Sequence, residues 1–207
     1  MQSKIFKIIK ESAIIIATLL LCNLVLNNNY VRPTLDILDS QKEVASDTSW
    51  HIYKREHKLV LGISGHHFIE LRDSNNNIIS QIHGKAYDNI TKEIVEVAKS
   101  FRKNYKLKVI EYNGDKYSDI NLNIGDIGIE IAKGNEADMK ASWTKAEECG
   151  KVINRESIDY PKFGFRLINE TENSNSVAHT LINCMGYTDK SIGLFNPGEK
   201  SLLIDNE

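Results

Sequence analysis

The chain has 207 residues, with 26 Lys and Arg against 28 Asp and Glu, for a formal net charge of −2. That near-balance excludes the basic footprint of a nucleic-acid binder, so no nucleic-acid partner is expected. With 41% hydrophobic residues and three prolines, the chain beyond its N-terminal segment amounts to about one ordinary domain, large enough for a core without disulfide staples.

The chain opens with Lys4, Lys7 and Lys10, followed by the run AIIIATLLLCNLVL from Ala13 to Leu26. The strict run matches a signal-peptide h-region of roughly 7–15 residues. Counted back to Ile5, with the lysines snorkelling to the headgroups, it reaches the roughly 20 residues that span a bilayer. No small-x-small cleavage site follows, and Leu21 stands before Cys22 where a lipoprotein site needs a small residue. Residues 1–27 are therefore read as a membrane anchor or uncleaved signal. The lysines stay cytoplasmic, which puts the rest outside, on the periplasmic side of a bacterial inner membrane. Residues 28–47, polar and interrupted by Pro33, form a tether.

Residues 48–207 follow as one α+β domain. Ser49–Arg55 alternates as a strand. Leu59–Ile63 and His66–Arg72 read as further strand, the Asp73–Asn77 cluster as a turn, and Ile78–His83 as the return, so His66–His83 is a β-hairpin. Thr91–Tyr105 carries Ile94, Val97, Ala98, Phe101 and Tyr105 at helical spacing behind an Asn89 cap, which predicts a helix. Leu107–Tyr112 is a strand, Asn113-Gly114-Asp115 a turn, Ser118–Gly125 a loop and Asp126–Lys133 an alternating strand. Glu136–Cys149, extendable to Arg155, reads as a helix with Met139, Trp143 and Ala146 on one side. Tyr160–Ile168 is irregular or a short strand. A last helix, Val177–Met185, is entered through Asn173–Ser176 and closed by Gly186. The fold class is an antiparallel sheet with packed helices, preceded by one transmembrane helix. Cys149 and Cys184 lack a CxxC pattern and read as two separate buried thiols, a disulfide being the alternative for a domain outside the cytoplasm.

Two segments carry residues suited to chemistry. In Gly65-His66-His67-Phe68-Ile69-Glu70-Leu71, strand alternation puts His66, Phe68 and Glu70 on one side and His67, Ile69 and Leu71 on the other. The second side has the aliphatic bulk of a core, which leaves His66 facing a groove beside Phe68, with His83 of the return strand near it. Two imidazoles within reach can serve as base and orienter; surface histidines on a polar sheet face are the plainer alternative. In Asn173-Ser174-Asn175-Ser176-Val177-Ala178-His179, the polar cluster suits a helix N-cap, and the same place favours a nucleophile because the helix amides stabilise an anion. His66, His67, His83 and Glu70 also raise zinc, but adjacent strand histidines point to opposite faces and no metal or other cofactor is expected. His179 is expected to cap or pack.

The order of these segments, GHHFIEL with its return to IHG and then NSNSVAHTL opening a late helix, resembles the circularly permuted papain-like superfamily of NlpC-type peptidases and lecithin:retinol acyltransferase relatives. It also looks close to a bacterial family of uncharacterised proteins with an Asn-Ser-Asn-Ser/Thr helix start. The resemblance implies a papain-like fold with Ser174 at the usual cysteine position as nucleophile, His66 as base and His83 as the third polar member, His67 being the rival for the base. It implies a membrane-anchored, envelope-facing hydrolase or acyl transferase cleaving an amide or ester, with cell-wall peptide as substrate. The alternative is a catalytically inactive binding module of the same fold for peptide, glycan or a protein partner. The departure at Ser174 bears on activity, because a hydroxyl needs concerted deprotonation where a thiolate does not.

Overall fold

The computed structural model describes residues 48–58, 65–95, 105–114, 127–161, 171–193 and 196–204. The anchor, the tether, the strand expected at Leu59–Ile63 and the loop expected at Ser118–Gly125 lie outside the described residues. Among the described residues no helix is long and apolar enough to cross a membrane.

The domain is α+β. Strands β1 (Trp50–Lys58), β2 (Gly65–Arg72), β3 (Ile78–Asp88), β4 (Glu93–Val95), β5 (Tyr105–Asn113), β6 (Ile127–Gly134) and β7 (Asp159–Tyr160) form one antiparallel half-barrel sheet. Its order is β6-β1-β2-β3-β5-β7, with β4 paired to β3. Among the described residues two helices accompany it, α1 (Glu136–Arg155) and α2 (Ser174–Cys184).

The β2–β3 turn forms because Asp73 Oδ1 accepts from the amides of Asn75 and Asn77 at 2.9 and 2.8 Å, while Asn76 takes φ +63°. Asparagine is among the few side chains that enter that left-handed region readily. Helix α1 begins where Asn135 Oδ1 caps the Asp138 amide at 2.9 Å, with Glu136 and Asp138 in the first turn against the helix dipole. Its buried stripe, Met139, Trp143, Ala146, Gly150 and Ile153, repeats at 3.6-residue spacing.

The core lies between one face of the sheet and the two helices. Ile52, Ile69, Leu71, Ile82, Ala86, Leu107 and Val109 meet Met139, Trp143, Ala146, Val177, Ala178, Leu181 and Ile182 there. Helix α2 packs on β2 and β3, and α1 packs on β5 and α2. Gly84 sets the closeness of α2: a Cβ there would stand 2.7 Å from Val177 Cγ2 and 2.9 Å from Ser174 Cα.

Three sequence expectations are corrected. The helix expected over Thr91–Tyr105 is not helical at its described ends, since Glu93–Val95 and Tyr105 are strand; residues 96–104 lie outside the described residues. The reason is local: Asp88 Oδ1 accepts from Ile90 N at 2.8 Å and Lys92 takes φ +62°, so the chain doubles back as a hairpin instead of entering a helix at Asn89. Helix α2 starts at Ser174 rather than Val177, because Asn173 is the cap. Cys149 and Cys184 are not separate thiols but a disulfide joining α1 to α2.

Candidate functional site

The face of the sheet turned away from the helices is polar. Alternation puts Tyr53, Arg55 and His57 of β1, His66, Phe68, Glu70 and Arg72 of β2, Gln81, His83 and Lys85 of β3, and Lys108 and Tyr112 of β5 on it. His66 and His83 meet there, with His66 Nε2 3.0 Å from His83 Nδ1. Phe68 stacks on the His83 ring at 4.3 Å between centroids, and Tyr112 meets that ring edge-on at 5.5 Å. His66, Phe68, Glu70, Gln81 and His83 are all buried.

A chain of hydrogen bonds runs through these groups and has a direction. Arg72 Nε donates to Glu70 Oε1 at 2.6 Å, and Gln81 Nε2 donates to Glu70 Oε2 at 2.6 Å. A carboxylate only accepts, so Gln81 must present its amide nitrogen to Glu70 and its Oε1 to His83, 3.3 Å away. His83 therefore carries its proton on Nε2, and its Nδ1 accepts from His66 Nε2–H. The tautomer of His66 follows: Nδ1 holds a lone pair. Arg55 Nε and His67 Nδ1 are sealed from solvent without a hydrogen-bond partner, but His66 Nδ1 is not among such atoms.

Burial holds His66 well below the ordinary histidine range, and the neighbouring Lys85 charge pushes it further the same way. His83 is lowered by the same two causes in the same order. Both imidazoles are neutral near pH 7. Burial also lowers the Lys85 ammonium, to about 8.

Ser174 is elsewhere. It begins α2 on the helix face, beside Gly84, which alternates with His83 along β3. Its hydroxyl lies 3.4 Å from Asn175 Oδ1 and is hydrogen-bonded to the buried Tyr160, whose phenol burial pushes up to about 12. Thus the structure brings His66 and His83 together and does not bring Ser174 to them; the sheet lies between. The rest of the polar cluster is occupied structurally. Asn173 Oδ1 accepts from Asn175 N and Ser176 N at 2.8 and 3.3 Å, and Ser176 Oγ accepts from Asn173 N at 2.7 Å, which makes a capping box. Asn175 Oδ1 also accepts from His67 N at 2.9 Å, tying the helix start to β2.

His67 shares the helix face but serves a different cluster. Its Nε2 is 3.2 Å from Glu56 Oε2. Nearby, fully buried Lys54 donates to Asp189 at 2.9 Å and to Glu199 at 2.9 Å, while His179 Nδ1 lies 2.8 Å from Asp189. These pairs fasten the chain after α2 onto β1, so His179 pairs with a carboxylate of that segment. Among the described residues no group of three or more His, Cys, Asp or Glu side chains is placed to hold a metal ion.

Sequence reasoning missed Gln81, Lys85 and Lys108. The signal was present: Gln81, His83 and Lys85 stand at i, i+2 and i+4 of one strand, so a face given to His83 is given to all three. No family model, no curated protein and no solved structure matches the chain.

Proposed function

We propose that the chain is a membrane-anchored, envelope-facing binding module, with its site on the His66–His83 face and no turnover by Ser174. The observation that carries this reading is the sheet standing between the Ser174 hydroxyl and the histidine pair. A serine nucleophile needs its base within hydrogen-bond reach, about 2.6–3.2 Å or somewhat looser. Among the described residues its partners are instead Tyr160 and Asn175.

The papain-like resemblance belongs to this proposal as ancestry of fold. An antiparallel sheet bearing His66 and His83, followed by a helix that opens with Asn-Ser-Asn-Ser, supports it. The location outside the cytoplasm is supported by the hydrophobic run behind three lysines and by the Cys149–Cys184 disulfide, since such bonds persist in oxidising compartments. Of the ligand classes, peptide fits better than neutral glycan, because the face carries Arg55, Arg72, Lys85 and Lys108.

Labelling of the full-length protein with a serine-reactive fluorophosphonate tests the reading. We expect no labelling of the folded protein. Labelling that disappears in Ser174→Ala would overturn it in favour of the amide or ester hydrolase.

A further inference from the structure

Lys54 stands at the middle of β1 with its side chain 0% exposed. The groups on its amine come from 135 to 145 residues further along the chain. Lys54 Nζ donates to both oxygens of Asp189 at 2.9 Å, to Glu199 Oε1 at 2.9 Å and to the Lys190 carbonyl at 3.1 Å. The Asp189 and Glu199 side chains are themselves only 6% and 14% exposed. On the far side of the carboxyl, His179 Nδ1 lies 2.8 Å from Asp189 Oδ2. A carboxylate only accepts, so that nitrogen carries the hydrogen.

Three features set this cluster apart from an ordinary ion pair. An amine equally distant from two carboxyl oxygens lies on the bisector of the group, which brings Asp189 Cγ within the roughly 3–3.5 Å of a near-attack geometry. A second carboxylate, Glu199, touches the same amine, and a lysine nucleophile needs a base in that place. Burial then works in one direction. Two opposite charges taken out of water are costly to keep, whereas an amide in their place carries no charge. The same burial keeps out the water that would hydrolyse the amide.

We propose that Lys54 and Asp189 join in an intramolecular isopeptide bond, with Glu199 as the proton carrier. Glu199 takes a proton from Lys54 Nζ, and the freed lone pair attacks Asp189 Cγ. The bond from Cγ to one oxygen breaks. That oxygen leaves as water with the proton returned by Glu199 and a second proton from the same nitrogen. His179 donates to Oδ2 and steadies the charge that gathers there. One ammonium and one carboxylate become one amide and one water, so no oxidant, reductant or outside reactant is required. The bond ties β1 to the chain after α2, and unlike the Cys149–Cys184 link it is not opened by a reductant.

The test is mass spectrometry of the full-length protein, reduced and alkylated so that the disulfide cannot hold the same peptides together, then digested with trypsin. We expect one branched peptide carrying both Lys54 and Asp189, lighter by one water than its two arms added. Trypsin should not cut after Lys54. Lys54→Arg keeps the charge but should yield no branched peptide, and Glu199→Gln should cut its yield at least tenfold. Two separate, unmodified peptides from the wild-type protein would overturn the bond and leave an ion pair; this reading needs no variant to fold. A full yield of branched peptide from Glu199→Gln would overturn the role given to Glu199.

Discussion

Lys85 shows how a single side chain reports on the site. Burial lowers it from 10.5 to about 8. A base whose folded pKa is depressed holds fewer protons in the fold than in the unfolded chain, so stability rises with pH between the two values. The window here is about pH 8 to 10.5, and at neutral pH the charged amine costs the fold roughly 3 kcal/mol at about 1.4 kcal/mol per unit. Replacing it with an apolar chain of similar length removes that cost. We expect Lys85→Met to raise urea-denaturation stability at pH 7 by about 1–3 kcal/mol, and the gain to shrink as pH climbs through that window. Tyr160 acts in the opposite sense above pH 10, where the unfolded phenol ionises and the folded one does not. Its effect cancels in the difference between the two proteins.

At the scale of elements, α2 is where local pattern and packing part company. The Asn-Ser-Asn-Ser cluster is legible as a helix start, and the capping box makes it one. Its face is not legible, because a cap says where a helix begins and nothing about which side of a sheet it covers. Asn173→Ala removes the acceptor for two helix amides. It should lower stability by about 1–2 kcal/mol in thermal or urea unfolding. Gly84→Ala forces a methyl between β3 and α2 against backbone and Val177. It should cost a further, separate 1–3 kcal/mol, roughly, and shift the backbone resonances of Ser174 and Val177. The helix expected over Thr91–Tyr105 gives way to strand at its described ends for a similar reason. Ile94 and Tyr105 fit helical spacing, yet Ile94 is 47% exposed in β4 and Tyr105 is buried in β5. An Asp88 side chain bonded to the amides ahead of it turns the chain into the β3–β4 hairpin, so no helix begins at Thr91.

Across the whole molecule, the link between α1 and α2 is covalent as well as apolar. The disulfide closes a separation of 35 residues. By loop-closure entropy such a link stabilises by about 2–4 kcal/mol. Reduction should lower the thermal midpoint of the domain by several degrees, and Cys149→Ala combined with Cys184→Ala should reproduce the loss without reductant. A midpoint unmoved by reduction would mean that the helices are held by packing alone. The charged cluster of Lys54, Asp189, Glu199 and His179 fastens the chain after α2 to the same body.

The sequence by itself narrowed the site to a hairpin with His66 beside Phe68 and near His83, because strand alternation has a period of two, but it kept His67 as the rival, since a one-residue register shift exchanges the two faces. It also determined the buried stripe of α1 and the stop of α2, while placing the start of α2 three residues late. What it left open was the meeting of His66 with Ser174, and the alternation already argued against it: a helix that buries Val177 and Leu181 must lie on the Ile69–Leu71 face, the face His66 does not share. Only the tertiary structure decided that, along with the cysteine pairing and the meeting of Lys54 with Asp189 and Glu199, because each depends on which strands and helices become neighbours across tens of residues of chain. Local spacing carries the period of an element but not the identity of what is packed against it.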